Sequence, residues 1–138
     1  MKPGLGPQQE RPSLMQPLLV CYPRCSTCKK AEKWLKEQGI SYEYRDISAD
    51  NPSEAELRRW HGESGLPLRR LFNTSGMKYR ELQVKSQLDA GMPDDDAYRL
   101  LASDGMLVKR PILIGTDGEG NPFALFGFKE ADWAARLA

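Results

Sequence analysis

Between residues 17 and 47 the spacing of apolar side chains changes twice. Residues 17–22, PLLVCY, form a continuous apolar run bounded by Pro23, short enough for a buried strand. Cys28, Ala31, Trp34 and Leu35 then recur at the i, i+3, i+4 intervals of a helix with one buried stripe, and Gly39 supplies its stop. Ser26 or Thr27 is the expected cap of that helix. Residues 40–47 alternate apolar with polar, the pattern of a second strand. Strand, helix and strand in that order commit the chain to a parallel pair joined by a right-handed crossover.

The rest of the chain adds helices and then a hairpin. Ser53 with Glu56 three residues later, after Asn51-Pro52, is a capping-box start, and Leu57 and Trp60 give the helix it opens an apolar side. Residues 68–72 predict a shorter helix ended by the turn at 73–76. Met92-Pro93-Asp94 opens another, with Ala97, Leu100 and Leu101 on its inner face and Gly105 near its end. Ile112-Leu113-Ile114, a turn over 117–121 and the return at 123–126 predict a hairpin, and a last helix over 129–137 carries Trp133 and Leu137 at i, i+4. The order β-α-β, helices, β-β-α predicts an α/β fold. One mixed sheet carries helices on its faces and a helical insertion in its middle, which is the thioredoxin-like arrangement. The expected domain covers residues 17–138, and residues 1–16, rich in proline and glycine without periodicity, read as a flexible tail.

At 138 residues a second catalytic domain hardly fits. Hydrophobic residues make up 40%, charged residues 28%, and the formal net charge is +1, which argues against disorder and against direct nucleic-acid binding through a basic stripe. No apolar run approaches the ~18–20 residues that would cross a bilayer. The first residues lack the apolar stretch of a secretory signal, so the expected compartment is the cytoplasm, where thiols are kept reduced.

All three cysteines, Cys21, Cys25 and Cys28, lie around the first strand-to-helix turn. Any single bridge leaves one over, which makes a purely structural staple the weakest explanation. Cys25-Ser26-Thr27-Cys28 straddles the helix start. Unpaired amides and the helix dipole favour an anion there, and Arg24, Lys29 and Lys30 add positive potential, so the Cys25 thiol is expected to ionise readily. Cys28, one turn further on, is placed to attack a sulfur adduct on Cys25. Cys25 is therefore the expected nucleophile and Cys28 the resolving thiol. A zinc site would need Cys21, Cys25, Cys28 and His61 as its four ligands. Cys21 belongs to the apolar strand and reads as a small core residue, and His61 has no second histidine or cysteine near it in sequence and reads as a surface or interface residue. No metal and no cofactor are expected.

Four segments in order, Cys25-Ser-Thr-Cys28-Lys-Lys-Ala31, Leu71-Phe-Asn-Thr-Ser-Gly-Met-Lys-Tyr-Arg-Glu-Leu82, Leu101-Ala-Ser-Asp-Gly-Met-Leu-Val-Lys-Arg-Pro111 and Gly127-Phe-Lys-Glu130, resemble the arsenate reductase (ArsC/Spx) family, in particular its small Gram-positive branch. The resemblance covers residues 17 to 138 and implies a thioredoxin fold with a helical insertion. It implies that three arginines hold an oxyanion. Two of these positions fall on Arg69 and Arg110, and the third falls among residues 125–128, which contain no arginine. It also implies a cis bond at Pro111 and an Arg110 side chain projecting toward Cys25. On the residues alone, Arg110-Pro111 reads equally as an edge-strand proline after a solvated arginine, and Arg70 and Arg80 read as solvated. The implied activity is thiol–disulfide redox chemistry, with arsenate as a substrate and thioredoxin, glutaredoxin or glutathione as the reductant. The CxxC also resembles the redox switch of the Spx branch, for which the implied partner is the RNA polymerase α-subunit.

Overall fold

Alternation along the strands decides which side chains meet which helices. A computed structural model describes residues 16–137. The tail expected over residues 1–16 lies, but for Gln16, outside the described residues. Strands β1 (Leu18–Cys21), β2 (Glu43–Asp46), β3 (Ile112–Thr116) and β4 (Pro122–Phe126) form one sheet in the order β2-β1-β3-β4. β1 and β2 are parallel, β1 and β3 antiparallel, and β3 and β4 form the expected antiparallel hairpin. This is the mixed sheet expected for the thioredoxin-like fold.

In β1, β3 and β4 odd-numbered residues face one layer and even-numbered residues the other, as the two-residue period of a strand requires. Leu19, Cys21, Leu113 and Phe123 pack with Cys28, Ala31, Trp34 and Leu35 of α1 (Ser26–Glu37) and with Trp133 of α6 (Glu130–Leu137). Val20, Ile112 and Ala124 pack on the opposite face. There they meet Leu57 and Trp60 of α2 (Glu54–Ser64) and Ala97, Tyr98 and Leu101 of α5 (Asp94–Ser103). Between α2 and α5 the insertion contains a 3-10 turn (Leu68–Leu71), α3 (Met77–Glu81) and α4 (Val84–Asp89), and a second 3-10 turn (Gly105–Leu107) follows α5. No helix among the described residues is long and apolar enough to cross a membrane.

Several local expectations hold, and others shift for identifiable reasons. The capping box at Ser53 is formed reciprocally: Ser53 Oγ accepts from the Glu56 amide, and the Glu56 carboxylate accepts from the Ser53 amide. β2 is shorter than the alternation of residues 40–47 suggests. Ile40 and Tyr42 pack on the α1 layer without pairing, and Ile47 is fully buried just past the strand, its amide bonded to Cys21 O at 2.8 Å. The segment 68–72 closes as a 3-10 turn at Leu68–Leu71, and α3 and α4 were not legible at all.

A half-buried ion pair ties β2 to α2. Arg45 donates to both Glu56 oxygens, at 2.7 and 2.9 Å. The Arg45 guanidinium, opposed only partly by burial, holds the Glu56 carboxyl down to about 2. A depressed carboxyl stabilises the fold above its unfolded pKa, and that contribution disappears as pH falls through the folded value. Stability should therefore decline between about pH 4.5 and pH 2. The share due to this pair is about 1–2 kcal/mol after solvent screening. Urea midpoints measured across that range on wild type and Glu56→Gln check it: the variant's midpoint should vary less with pH.

Candidate active site

The site forms where β1 ends and α1 begins. Tyr22 O accepts the Cys25 amide at 3.0 Å, which turns the chain back over the end of the strand. The helix N-cap is Cys25 itself, in an extended conformation (φ −88°, ψ 119°) and with no side-chain capping bond. This corrects the expectation of a Ser26 or Thr27 cap: both residues lie inside the first turn. Cys25 is half-buried, Cys28 is 1% exposed and Cys21 is fully buried, and all three thiols are free.

The three cysteines lie close enough to shift one another's ionisation. The Cys28 thiol is lowered to about 6, first by a hydrogen bond from the Cys21 thiol. Burial opposes this, while the Tyr22 backbone amide, a bond from the Cys25 thiol and the Arg110 charge add to the lowering. Cys21 is pushed well above the ordinary thiol value by the same bond to Cys28, by burial, and by the negative charges of Cys28 and Glu32. Glu32 lies one helical turn beyond Cys28, and its carboxylate accepts the Tyr42 hydroxyl at 2.7 Å. Sequence reasoning considered the helix tip and its nearby cations. It missed the influence of the neighbouring thiols, which falls on Cys28. The signal was available in the alternation of β1, which sends Cys21 to the face that α1 covers.

A thiolate on Cys28 predicts a spectroscopic titration. Thiolate absorbance near 240 nm should rise with a midpoint near pH 6 in wild type and lose that phase in Cys28→Ala. Cys21→Ala removes the largest lowering influence, so the remaining Cys28 midpoint should move upward. An unchanged midpoint would show that the Cys21 bond contributes nothing.

Arg110 and Pro111 stand beside this group. β1 and β3 pair as far as Val20 with Ile112, so Arg110 and Pro111 directly precede the paired segment, at the end of β1 that carries Cys21. The Arg110–Pro111 bond is cis. The Arg110 guanidinium lies over the Tyr22 ring, 5.4 Å from its centroid. Its Nη1 donates to the carbonyls of Val108, Gly105 and Met106 at 3.3, 3.4 and 3.5 Å. Its Nε is buried with no hydrogen-bond partner among the described residues. Arg110 is thus a positioned cation with a donor to spare, not a solvated side chain.

Arg69 is placed differently. Its backbone adjoins the Arg110 segment, because Leu71 O accepts the Lys109 amide and Leu107 O the Asn73 amide, each at 2.8 Å. Its guanidinium, however, turns to Asp89 of α4 at 2.8 Å, in an exposed pair shared with Lys85. Among residues 125–128, Gly127 sits at φ +81°, and a Cβ there would come within 2.7 Å of the Lys109 side chain. The segment without an arginine is therefore crossed by the Lys109 chain, a cation that sequence reasoning passed over. Arg70 and Arg80 are exposed, as expected.

His61 has partners that sequence spacing did not reveal. Its Nδ1 meets Tyr98 Oη at 2.5 Å and its Nε2 meets Leu66 O at 2.8 Å, so it bridges α2 to α5 within the fold. Both ring nitrogens are engaged. Among the described residues no three His, Cys, Asp or Glu side chains are grouped to hold a metal ion.

A mixed four-stranded sheet with a CxxC at its first strand-to-helix turn is the arrangement of a thiol redox protein of thioredoxin-like fold. The chain belongs to the ArsC family, whose model matches residues 20–136. It is 50% identical over 109 residues to the uncharacterized protein YusI of Bacillus subtilis, covering 79% of this chain and 87% of that one. It is 29% identical over 96 residues to the global transcriptional regulator Spx of the same organism, covering 70% and 71%. Among solved structures, an ArsC family related protein from Bacteroides fragilis matches with a TM-score of 0.80 and 44% identity, covering 88% of this chain and 98% of that one. The arsenate reductase from Vibrio cholerae matches with a TM-score of 0.76 and 25% identity, covering 89% and 98%.

Proposed function

We propose that this protein is a thiol–disulfide oxidoreductase in which Cys25 attacks an electrophile, arsenate or an oxidised thiol, and Cys28 resolves the adduct. The observation that carries this reading is a half-buried Cys25 at the start of α1, packed against the buried cluster that holds Cys28, whose thiol is held low. As Cys25 attacks, its proton passes to the Cys28 thiolate. With arsenate, a Cys25–S–As bond forms, and an arsenate hydroxyl takes the proton from Cys28 and leaves as water. Cys28 then attacks the Cys25 sulfur, the S–As bond breaks with its electron pair on arsenic, and arsenite leaves. With a disulfide substrate the leaving group is a thiolate, which takes the Cys28 proton. Both routes end in a Cys25–Cys28 disulfide, which thioredoxin, glutaredoxin or glutathione reduces.

In this mechanism Arg110 offers its spare donor to the developing negative charge. Arg69 joins it by exchanging its exposed pairing with Asp89 for the anion. Lys109 brings a further cation to the end of β3. Pro111 directly precedes β3, at the end of the sheet that carries Cys21.

The test is reductant consumption by the full chain with arsenate and with a small disulfide, coupled in turn to thioredoxin, glutaredoxin and glutathione. Turnover with either substrate supports the enzyme. A second reading, a redox-sensing regulator that contacts the RNA polymerase α-subunit, draws support from the similarity to Spx. It predicts capture of that subunit by one redox form only, without turnover.

A further inference from the structure

The proposed reaction uses two of the three sulfurs in the group and leaves Cys21 without a task. We propose that Cys21 is a third redox thiol, which exchanges with the Cys25–Cys28 disulfide to give a buried Cys21–Cys28 disulfide and a free Cys25 thiol. This rests on the thiol–disulfide reading above.

The geometry comes from the turn between β1 and α1. Cys21 is the last residue of β1, and strand alternation puts its side chain with Leu19 in the layer that α1 covers. The bond from the Cys25 amide to Tyr22 O starts α1 directly over that strand end. Cys28, the third helical residue, packs into the same apolar cluster as Cys21, and Cys25 lies at its margin. Cys21 and Cys25 are also the two neighbouring thiols that lower the Cys28 thiol. Cys28 thus shares its cluster with two other cysteines, either of which can become its partner once the sulfurs close to the ~2.05 Å of a disulfide.

The exchange balances without any added reagent. Cys21 sulfur bonds to Cys28 sulfur, the Cys25–Cys28 bond breaks, and the electron pair departs on Cys25. Cys25 takes up the proton that Cys21 gives up. The restraint on Cys21 is also lifted at the stage when it must act. In the dithiol form, the charge on Cys28 holds the proton on Cys21. A Cys28 sulfur within a disulfide carries no charge, so burial and Glu32 are what still oppose ionisation. The product keeps the oxidised bond among fully buried atoms and returns a half-buried thiol to the surface. Cys25 is then ready for a second electrophile before any reductant has arrived.

Trypsin separates the possibilities, because Arg24 and Lys29 place Cys21 in one peptide and Cys25 with Cys28 in the next. The full-length protein is oxidised with one equivalent of diamide, quenched in acid at intervals, alkylated and digested. The expected result is a pair of peptides joined through Cys21 and Cys28, with the alkyl group on Cys25, alongside the internal Cys25–Cys28 bridge. Cys21→Ala should retain only the internal bridge. Its oxidised form should also label at Cys25 under native conditions at least ~10-fold less than oxidised wild type. A wild type holding only the internal bridge at every time overturns the proposal and leaves the redox reading intact. Peptides joined through Cys21 and Cys25, with Cys28 alkylated, overturn it as well. Formation of no bridge sinks both.

Discussion

Cys25→Ser should lower turnover by at least ~1,000-fold with either arsenate or a disulfide, because a serine hydroxyl stays protonated where a thiol ionises and forms no sulfur adduct. Cys28→Ser should fail differently. Its Cys25 can still attack, but the adduct has lost the resolving sulfur, so the protein should accumulate as a mixed disulfide with the reductant or with glutathione. Mass spectrometry after a single turnover reads the distinction. Cys25→Ser carries no adduct, and Cys28→Ser carries a stoichiometric one. A Cys25→Ser protein that turns over like wild type would remove the nucleophile from this scheme. A Cys28→Ser protein that cycles freely would transfer resolution to an external thiol.

Trp133→Ala should produce the largest loss of stability, about 3–5 kcal/mol by the usual cost of deleting a buried aromatic side chain. Trp133 is 1% exposed and stacks edge-on against Phe128 at 4.9 Å and against Trp34 of α1 at 6.3 Å. Its indole N–H donates to Gly127 O at 3.1 Å. Through Trp34 it supports the helix that carries Cys28. Trp133→Phe keeps most of the apolar volume and gives up the N–H bond, so its loss should be smaller, about 1–2 kcal/mol. Urea unfolding followed by far-ultraviolet dichroism separates the two. Equal losses would mean that the hydrogen bond, not the packing, dominates.

The outer frame of the fold was legible because its signals are local. A four-residue apolar strand, a helix with one buried stripe, a reciprocal capping box and a turn between two β-branched or aromatic runs each announce themselves within a few residues. The insertion was not legible, for the same reason. In α3 and α4 the buried residues are Tyr79 and Val84, too few to set a period, and Gln83 between them adopts a positive φ of 51° that no turn residue foretold. The site divides along the same line. Cys25, Cys28 and Arg110-Pro111 stand in recognisable strings. The packing of Cys21 with Cys28, the turn of Arg69 toward Asp89 and the engagement of His61 by Tyr98 depend on contacts between separate elements. Twenty residues separate Arg69 from Asp89, and thirty-seven separate His61 from Tyr98.

The start of α1 combines two demands that oppose each other. A helix is best begun by an oxygen that reaches back to its first amides, and position 25 holds a sulfur that makes no such bond. A hydroxyl there would serve the helix better by about 0.5–1 kcal/mol. The inert serine variant should therefore resist heat better than the working protein. Endurance at this position is given up for reactivity, and a screen that selected for thermal tolerance alone would discard the chemistry first.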